Sequence, residues 1–395
     1  MDKVLHINDY PIDSGGGAEV VMQQTIALLR SRGIEVDTYT SANLADARRG
    51  PWRYVDNRCA RQALAAKLDV FRPAVVHLHN FYHILSPGIL ATLAEYQQQH
   101  PLRVVMTAHD YHLVSPNSGG SWFHWWSRQR EAIEPHLSES LSSLVTHRWD
   151  DRTCLHSFLK LAQHVWNYRW HHRRKVIDVV ICPSRFVQSM LVSTGLTTAF
   201  LPHPVPSAPG LPRLREGPLR FVFAGRLESE KGLNEFLQML PSDFDAALTI
   251  IGAGTESANC QATCVARGWS GRVEFAGRLS HAETLARIAS CHVLIQPSRV
   301  LETYGLTLIE ALSRGANVLA ANRGAAREII DAAGVGFLFD PDDATSLSCQ
   351  LQAIRTQYAE GVLNQFDVTA FLEARSEARY LDGLMHVYHD HGPSR

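Results

Sequence analysis

The sequence predicts an α/β protein made of two doubly wound domains, and three observations carry that expectation. The chain has 395 residues, more than one hydrophobic core usually organises. A strand, a glycine-bearing loop and a helix follow one another twice, at the start and again just past the middle. Between the halves lies Pro202-His203-Pro204-Val205-Pro206-Ser207-Ala208-Pro209-Gly210-Leu211-Pro212, which has a linker's composition.

In the first half, Val4-Leu5-His6-Ile7 reads as a strand, Gly15-Gly16-Gly17 as its loop, and about Ala18 to Arg30 as the helix. Further strands are expected over 34–40, 74–79, 103–108 and 176–182, with helical segments between them. Residues 115–174 break the pattern. No strand is evident there, and Trp122, Trp125, Trp126, Trp149, Trp166 and Trp170 accumulate before the cations Arg173, Arg174 and Lys175. The stretch reads as a helical insertion whose aromatics partly pack it and partly form an acceptor-binding or membrane-facing surface. In the second half, Leu219 to Ala224 is a strand, Gly225 to Gly232 its loop, and a helix starts near Leu233. Strands at 247–251, 272–275, 292–295 and 316–320 follow. The expected organisation is a first domain over 1–204, a second over 205–375, and a helical tail at 376–395 able to pack back on the first.

Composition narrows the function classes. Apolar residues make up 45% and charged residues 19%, as in ordinary globular enzymes. A formal charge of −1 argues against a nucleic-acid partner, so local groups must hold any anionic ligand. Seven cysteines without a paired framework fit free thiols in a reducing compartment. Cys260 and Cys264 have no matching second pair, so zinc is not expected. The N-terminus runs straight into a strand without a signal-type segment, and no apolar run reaches the ~18 residues of a membrane span. The expected location is the cytoplasm.

Chemistry concentrates at strand ends. Glu302-Thr303-Tyr304-Gly305-Leu306-Thr307-Leu308-Ile309-Glu310 places two carboxylates between an apolar strand and an apolar helix, at the edge where open α/β sheets bind ligands. Gly225-Arg226-Leu227-Glu228-Ser229-Glu230-Lys231-Gly232 sets Arg226 and Lys231 before a helix, a combination suited to a pyrophosphate or to a solvated charged turn. Gly252 and Gly254 end the next strand in a close-approach loop. Gly16 and Gly17 lack the dinucleotide-fingerprint spacing but still let a ligand near the backbone. His109 ends the strand from Arg103 and is expected to face the crevice between the domains, within reach of a sugar hydroxyl. His77, His79 and His83 mimic a metal cluster but are read as packing and hydrogen-bonding groups. Asp340-Pro341-Asp342 is read as a helix cap.

Together with Val76-His77-Leu78-His79-Asn80, His109-Asp110-Tyr111 and Pro183-Ser184-Arg185-Phe186, these motifs resemble the retaining glycosyltransferases of family 4, the group 1 enzymes of bacterial polysaccharide and glycan biosynthesis. The resemblance spans nearly the whole chain. It implies GT-B architecture, with two Rossmann-like doubly wound domains facing a central cleft. A UDP- or GDP-linked sugar donor would be held mostly by the second domain, and the acceptor would be a glycan or polyprenyl-linked glycan. Arg226 and Lys231 would stabilise the diphosphate, Glu310 would take the ribose hydroxyls, and Glu302 would contact the sugar. Backbone around Tyr304, Gly305, Leu306 and Thr307 would add contacts, and the base would rest near Gly277 and Arg278. Gly16 and Gly17 would close on the phosphates, and His109 would face the transferred sugar. No metal or other cofactor is implied, and peripheral contact with the inner membrane would suit a lipid-linked acceptor. Tyr304 where Phe is common, Asn317 where Pro is common, and Gly324-Ala325-Ala326 where a second glycine is usual depart from the pattern without removing a charged contact.

Two other classes fit less well. A nucleotide-sugar epimerase of similar architecture needs no acceptor surface such as 122–175. A non-catalytic nucleotide-sugar-binding module has no use for His109 at a cleft.

Overall fold

The computed structural model describes residues 3–14, 16–44, 50–134, 137, 140–205 and 217–390. Gly15 and the linker's Pro206–Pro212 lie outside the described residues. Chain contacts divide the protein into two compact units, Met1–Pro204 with Glu377–Arg395, and Val205–Ser376.

Unit 1 is built on strands β1 (Lys3–Ile7), β2 (Glu35–Tyr39), β3 (Val75–Leu78) and β4 (Arg103–Thr107), and on β7 (Val179–Cys182) and β8 (Thr198–Phe200). They form one parallel sheet in the order β2-β1-β3-β4-β7-β8. Every residue of β3 and β7 is buried, the continuous burial expected of a parallel sheet covered on both faces. The helix Gly17–Ser31 returns the chain from β1 to β2 and buries Val21, Met22, Ile26 and Leu29. The tail helix Glu377–His389 belongs to this unit. Its Tyr380, Leu381, Leu384, Val387 and Tyr388 join the core around Met22 and Ile26, and Tyr380 Oη shares a 2.9 Å hydrogen bond with Thr25 Oγ1. Gly383 brings that helix close to Leu201, whose Cδ1 would lie 2.7 Å from a Cβ built there.

Unit 2 repeats the scheme with β9 (Arg220–Ala224), β10 (Ala247–Ile251), β11 (Val273–Gly277), β12 (Val293–Gln296), β13 (Asn317–Ala321) and β14 (Phe337–Phe339). Their order is β11-β10-β9-β12-β13-β14, again parallel throughout. Apolar clusters cover both faces of the sheet. Within each sheet, strand order reverses beside the unit's first strand, between β1 and β3 and between β9 and β12. Such switch points leave a crevice at the strands' carboxyl ends.

The insertion differs from its reading. It contains an antiparallel hairpin, β5 (Ser121–Phe123) with β6 (Arg130–Ala132), as well as the helices Leu141–Thr146 and Cys154–His164. Strands of three residues are too short for alternation to reveal. For the same reason β8 and β14 escape the pattern. The strand expected from residue 176 starts at Val179, because Arg173–Val176 is a 3₁₀ turn. The cap read at Asp340–Asp342 moves by one residue: Asp343 accepts from the Thr345 amide at the start of the helix Ala344–Ala359. Asp342 is instead paired with Arg299 and Arg323.

Candidate functional site

In unit 2, the polar groups converge on the β9/β12 switch point because its glycines permit close backbone approach. Gly252 has φ +134°, and a Cβ there would stand 1.9 Å from the Gly225 carbonyl oxygen. A Cβ on Gly254 would meet the Leu227 carbonyl at 2.2 Å. Gly324, at φ +64°, lies so close under Glu302 that a Cβ would strike its backbone N and O at 2.3 Å. The Ala325 amide donates to the Glu302 carbonyl at 2.8 Å, so the loop after β12 rests on the loop after β13.

This scaffold brings Lys231 and Glu302 together from separate strand ends. Lys231 Nζ donates to Glu302 Oε1 at 2.7 Å, and Ser298 Oγ donates to the same oxygen. Burial alone would raise the Glu302 carboxyl, but Lys231 and the two hydrogen bonds outweigh it and hold the group below the usual glutamate range. Arg226 also acts on Glu302 through its charge, while its own guanidinium bonds Glu230 and stays largely exposed. Glu228 accepts from the Thr255 amide at 3.2 Å and from its hydroxyl, fixing the Gly225–Gly232 loop to the next one.

Glu310 lies on the helix Leu306–Leu312, which starts after Gly305 at φ +74°. Its Oε1 bonds His281 Nε2 at 2.7 Å, and this bond raises His281 above its ordinary value against the effect of burial. His281 opens the helix His281–Ser290 behind a Ser280/Glu283 capping box, which places it just past Gly277 and Arg278. Gly277 takes φ +68°, its carbonyl accepts from the Gly252 amide at 2.8 Å, and Arg278 is exposed. Tyr304 is buried, and Thr307 Oγ1 accepts from Gln296 Nε2 at 3.1 Å. Sequence reasoning missed His281 and Ser298. The capping-box spacing around His281 and the strand-end position of Ser298 were the available signals.

Unit 1 holds Gly16, Gly17 and His109. Gly16 is the N-cap of the helix Gly17–Ser31, and a Cβ there would meet the Glu19 carboxylate at 2.1 Å. That carboxylate is itself held by Asn8 Nδ2 at 2.9 Å. His109 is the end of a ladder of imidazoles. His6 Nδ1 and His79 Nε2 share a 2.9 Å bond, His79 Nδ1 and His109 Nε2 share one at 2.8 Å, and the His203 ring stacks on His109 with centroids 5.3 Å apart. Burial lowers all four, His6 to about 3 and His109 to about 4, so the ladder is neutral at pH 7. His6 Nε2 is buried without a partner. Each bond needs one N–H and one lone pair, so the tautomer of His6 fixes that of His79 and, through it, that of His109.

The nitrogens of His6, His77 and His79 come within 4.8 Å of one another, as metal ligands would. Two of those nitrogens already bond each other, His6 Nδ1 with His79 Nε2 at 2.9 Å. His77 is also engaged at both nitrogens, by Tyr388 Oη at 2.6 Å and Thr107 Oγ1 at 2.7 Å. His83 is not the third member; it packs on Tyr82.

Similarity to known proteins bears on this arrangement. The pattern of the family described as Glycosyltransferase Family 4 matches residues 15–137, and that of Glycosyl transferases group 1 matches residues 211–358. The chain belongs to the group 1, family 4 glycosyltransferases. This glycosyltransferase is 29% identical over 150 residues to glycogen synthase of Mycobacterium tuberculosis, covering 36% of the chain and 35% of the relative. It is 31% identical over 154 residues to phosphatidyl-myo-inositol mannosyltransferase of Mycobacterium leprae, covering 38% and 40%. The matched stretch thus spans well under half the length of these relatives. Among solved structures, sucrose-phosphate synthase of Thermosynechococcus elongatus superposes with a TM-score of 0.72 at 15% identity, covering 98% of both chains. Anabaena HepE, solved with UDP and glucose, superposes at 0.62 and 16% identity, covering 98% and 99%. At such identities the likeness concerns the fold, and both Rossmann-like domains of the glycosyltransferase are of the GT-B kind.

Proposed function

We propose that this glycosyltransferase moves a sugar from a UDP- or GDP-linked donor to a glycan or polyprenyl-linked glycan acceptor. The transfer retains the anomeric configuration, needs no metal, and serves cell-surface polysaccharide synthesis at the cytoplasmic face of the inner membrane. The observation that carries this reading is the Lys231–Glu302–Ser298 cluster with Arg226 beside it, at the carboxyl edge of the unit 2 sheet. Relatives support the substrate class: HepE was solved with UDP and glucose, and one mycobacterial relative is named a GDP-mannose-dependent alpha-mannosyltransferase.

Departure of a nucleoside diphosphate builds negative charge on its β-phosphate, and cations already fixed there stabilise that charge without reorganising. Arg226 and Lys231 supply them. Glu310 binds the ribose hydroxyls, with His281 orienting its carboxylate, and Glu302 accepts from a hydroxyl of the donor sugar. The Gly277–Arg278 turn lies beside the base, and the Tyr304–Thr307 backbone adds contacts to sugar or phosphate. In unit 1, Gly16 and Gly17 serve the phosphates and His109 the transferred sugar.

Thermal unfolding with UDP, GDP, ADP or dTDP tests the donor site, with the Arg226→Ala/Lys231→Ala variant as control. A nucleotide at about 100 times its Kd adds roughly 2.7 kcal/mol. Stabilisation by one nucleotide, lost in the variant, is the expected result; equal stabilisation of both proteins overturns the assignment. The anomeric proton's coupling constant in the product then reads retention directly.

A further inference from the structure

The helix Cys154–His164 and the π-helical turn Val165–Trp170 that continues it are built inside out. Their inward side is largely polar: Ser157, Gln163, His164 and Asn167 are all at most 3% exposed, with Tyr168 buried to the same degree beside them. Ser157, Gln163 and Asn167 are hydrogen-bonded there, and His164 is bonded only at Nε2, its Nδ1 being buried without a partner. Gln163 Nε2 donates to the carbonyls of Tyr54 and Tyr82, Asn167 Nδ2 to that of Val55, and Ser157 Oγ accepts from the Trp149 amide. Apolar residues face outward instead. Leu155 is 64% exposed, Phe158 63%, Trp166 38% and Trp170 72%. Their spacing keeps them on one side, and the wider π turn places Trp166 and Trp170 next to each other, with ring centroids 5.6 Å apart. A water-facing helix has the opposite pattern, so this stripe calls for an apolar partner.

Charge at the end of the stripe says which partner. A cavity of about 250 Å³ opens there, lined by Tyr168, Arg169, His172, Arg174 and Lys175 with Ser193 and Thr194, and no carboxylate among the described residues contributes to its wall. Arg174 stacks over Tyr168 and bonds His164 Nε2 at 3.0 Å, while its Nε is buried without a partner. No ion pair links Arg174 or Lys175 to a carboxylate among the described residues. Burial pushes the Arg174 guanidinium down to about 10, the cost of holding a cation there without a counter-ion.

We propose that this face docks the protein on a bilayer rich in anionic phospholipid, with Leu155, Phe158, Trp166 and Trp170 entering the headgroup boundary and the basic cavity taking a phosphodiester headgroup. Tryptophan favours that boundary, and adjacent cations add attraction to an anionic leaflet. A second copy of the chain fits worse, because a two-fold contact would bring two identical basic cavities together. The inference rests on and deepens the membrane-face reading proposed above, and it uses none of the donor-site residues.

Co-sedimentation of the full chain with vesicles is the test, comparing phosphatidylcholine alone with phosphatidylcholine carrying roughly a third phosphatidylglycerol. Binding to the anionic vesicles at low salt should exceed binding to the neutral ones by about tenfold or more. The Trp166→Ser/Trp170→Ser and Arg169→Gln/Lys175→Gln variants should each lose about tenfold or more of it. Nucleotide-induced stabilisation should be the same in both variants as in the unaltered chain, which separates this face from the donor site. Equal sedimentation with both vesicle types, or binding unchanged in the tryptophan variant, overturns the proposal. So does a concentration-dependent dimer, seen by analytical ultracentrifugation, that the tryptophan variant abolishes.

Discussion

The two parallel sheets reverse strand order at the same place, yet they fill the crevice there differently. In unit 2, the loops after β9 and β12 meet through a side-chain ion pair, Lys231 on Glu302, while Arg226 pairs with Glu230 inside the first loop. In unit 1, the loops after β1 and β3 meet through the backbone: the Asp9 carboxylate accepts the amides of His83, Ile84 and Leu85 at 2.6–2.9 Å, and Asn8 Oδ1 accepts the Asn80 amide. One switch point therefore keeps exchangeable ion pairs that an anionic ligand can displace. The other is closed by its own carboxylate and backed by neutral imidazoles. The same topology thus gives one edge suited to holding phosphate and one suited to rigid presentation of a histidine.

Substitutions at the two edges should separate binding chemistry from folding. Lys231→Ala removes a fixed cation from the leaving phosphate, and the transfer rate should fall by about 10²–10³, with Tm changed little by comparison. Steady-state kinetics with the matched donor read this; a loss below tenfold would show that Lys231 serves only its pair with Glu302. Asp9→Ala should do the reverse. It leaves three inward amides without an acceptor and should cost unit 1 about 3 kcal/mol in denaturant unfolding. Nucleotide binding by unit 2 should persist in this variant, and its loss alongside an unchanged denaturation midpoint would break the contrast.

Acid should also distinguish the units. His6, His77, His79, His109 and His203 have folded values below 6.5, so unfolded unit 1 binds more protons in mildly acidic solution. Their contribution is complete above pH 6.5 and is lost as pH falls from there toward about 4 for His109 and about 3 for His6. The loss approaches about 1.4 kcal/mol per pH unit for each imidazole. His281 in unit 2 has the opposite sign. Raised by Glu310, it stabilises below 6.5 and loses that contribution as pH rises through its folded value. Hydrogen exchange at pH 5.5, corrected for intrinsic rates, should show β1, β3 and β4 opening before β9 and β12. The reverse order would mean the ladder is not the weak point.

Legibility followed the range over which each element is specified. Long apolar runs such as Val293–Gln296 and the glycine loops beside them are local patterns, so the two doubly wound sheets could be read directly. Arg226, Lys231, Glu302 and Glu310 stood out for the same reason, as charges placed at strand ends. The Lys231–Glu302 contact spans 71 positions and is set only when β9 and β12 become neighbours. The imidazole ladder likewise joins residues 6, 79, 109 and 203 from four strand ends, and no spacing along the chain announces it. Short elements failed for a different reason. The three residues of β5 or β14 hold too little alternation to rise above chance, and the polar interior of Cys154–His164 inverts the rule by which a helix's buried face is recognised.

The smallest expected effect is the most discriminating. Arg226 is 67% exposed on its side chain and tied to Glu230 four residues on, an arrangement worth only about 0.2–1 kcal/mol. An incoming diphosphate must break that pair before the guanidinium can serve it. Glu230→Gln removes the competing charge and leaves intact the Glu230 carbonyl that accepts the Arg299 amide at 2.9 Å, so the loop should keep its shape. Affinity for the matched nucleoside diphosphate, read by isothermal titration calorimetry, should therefore rise roughly two- to fivefold, the equivalent of that pair's energy. A weaker complex would show instead that Glu230 holds Arg226 in its productive direction. The ion pair at the open switch point would then be an orienting contact, as Asp9 is at the closed one.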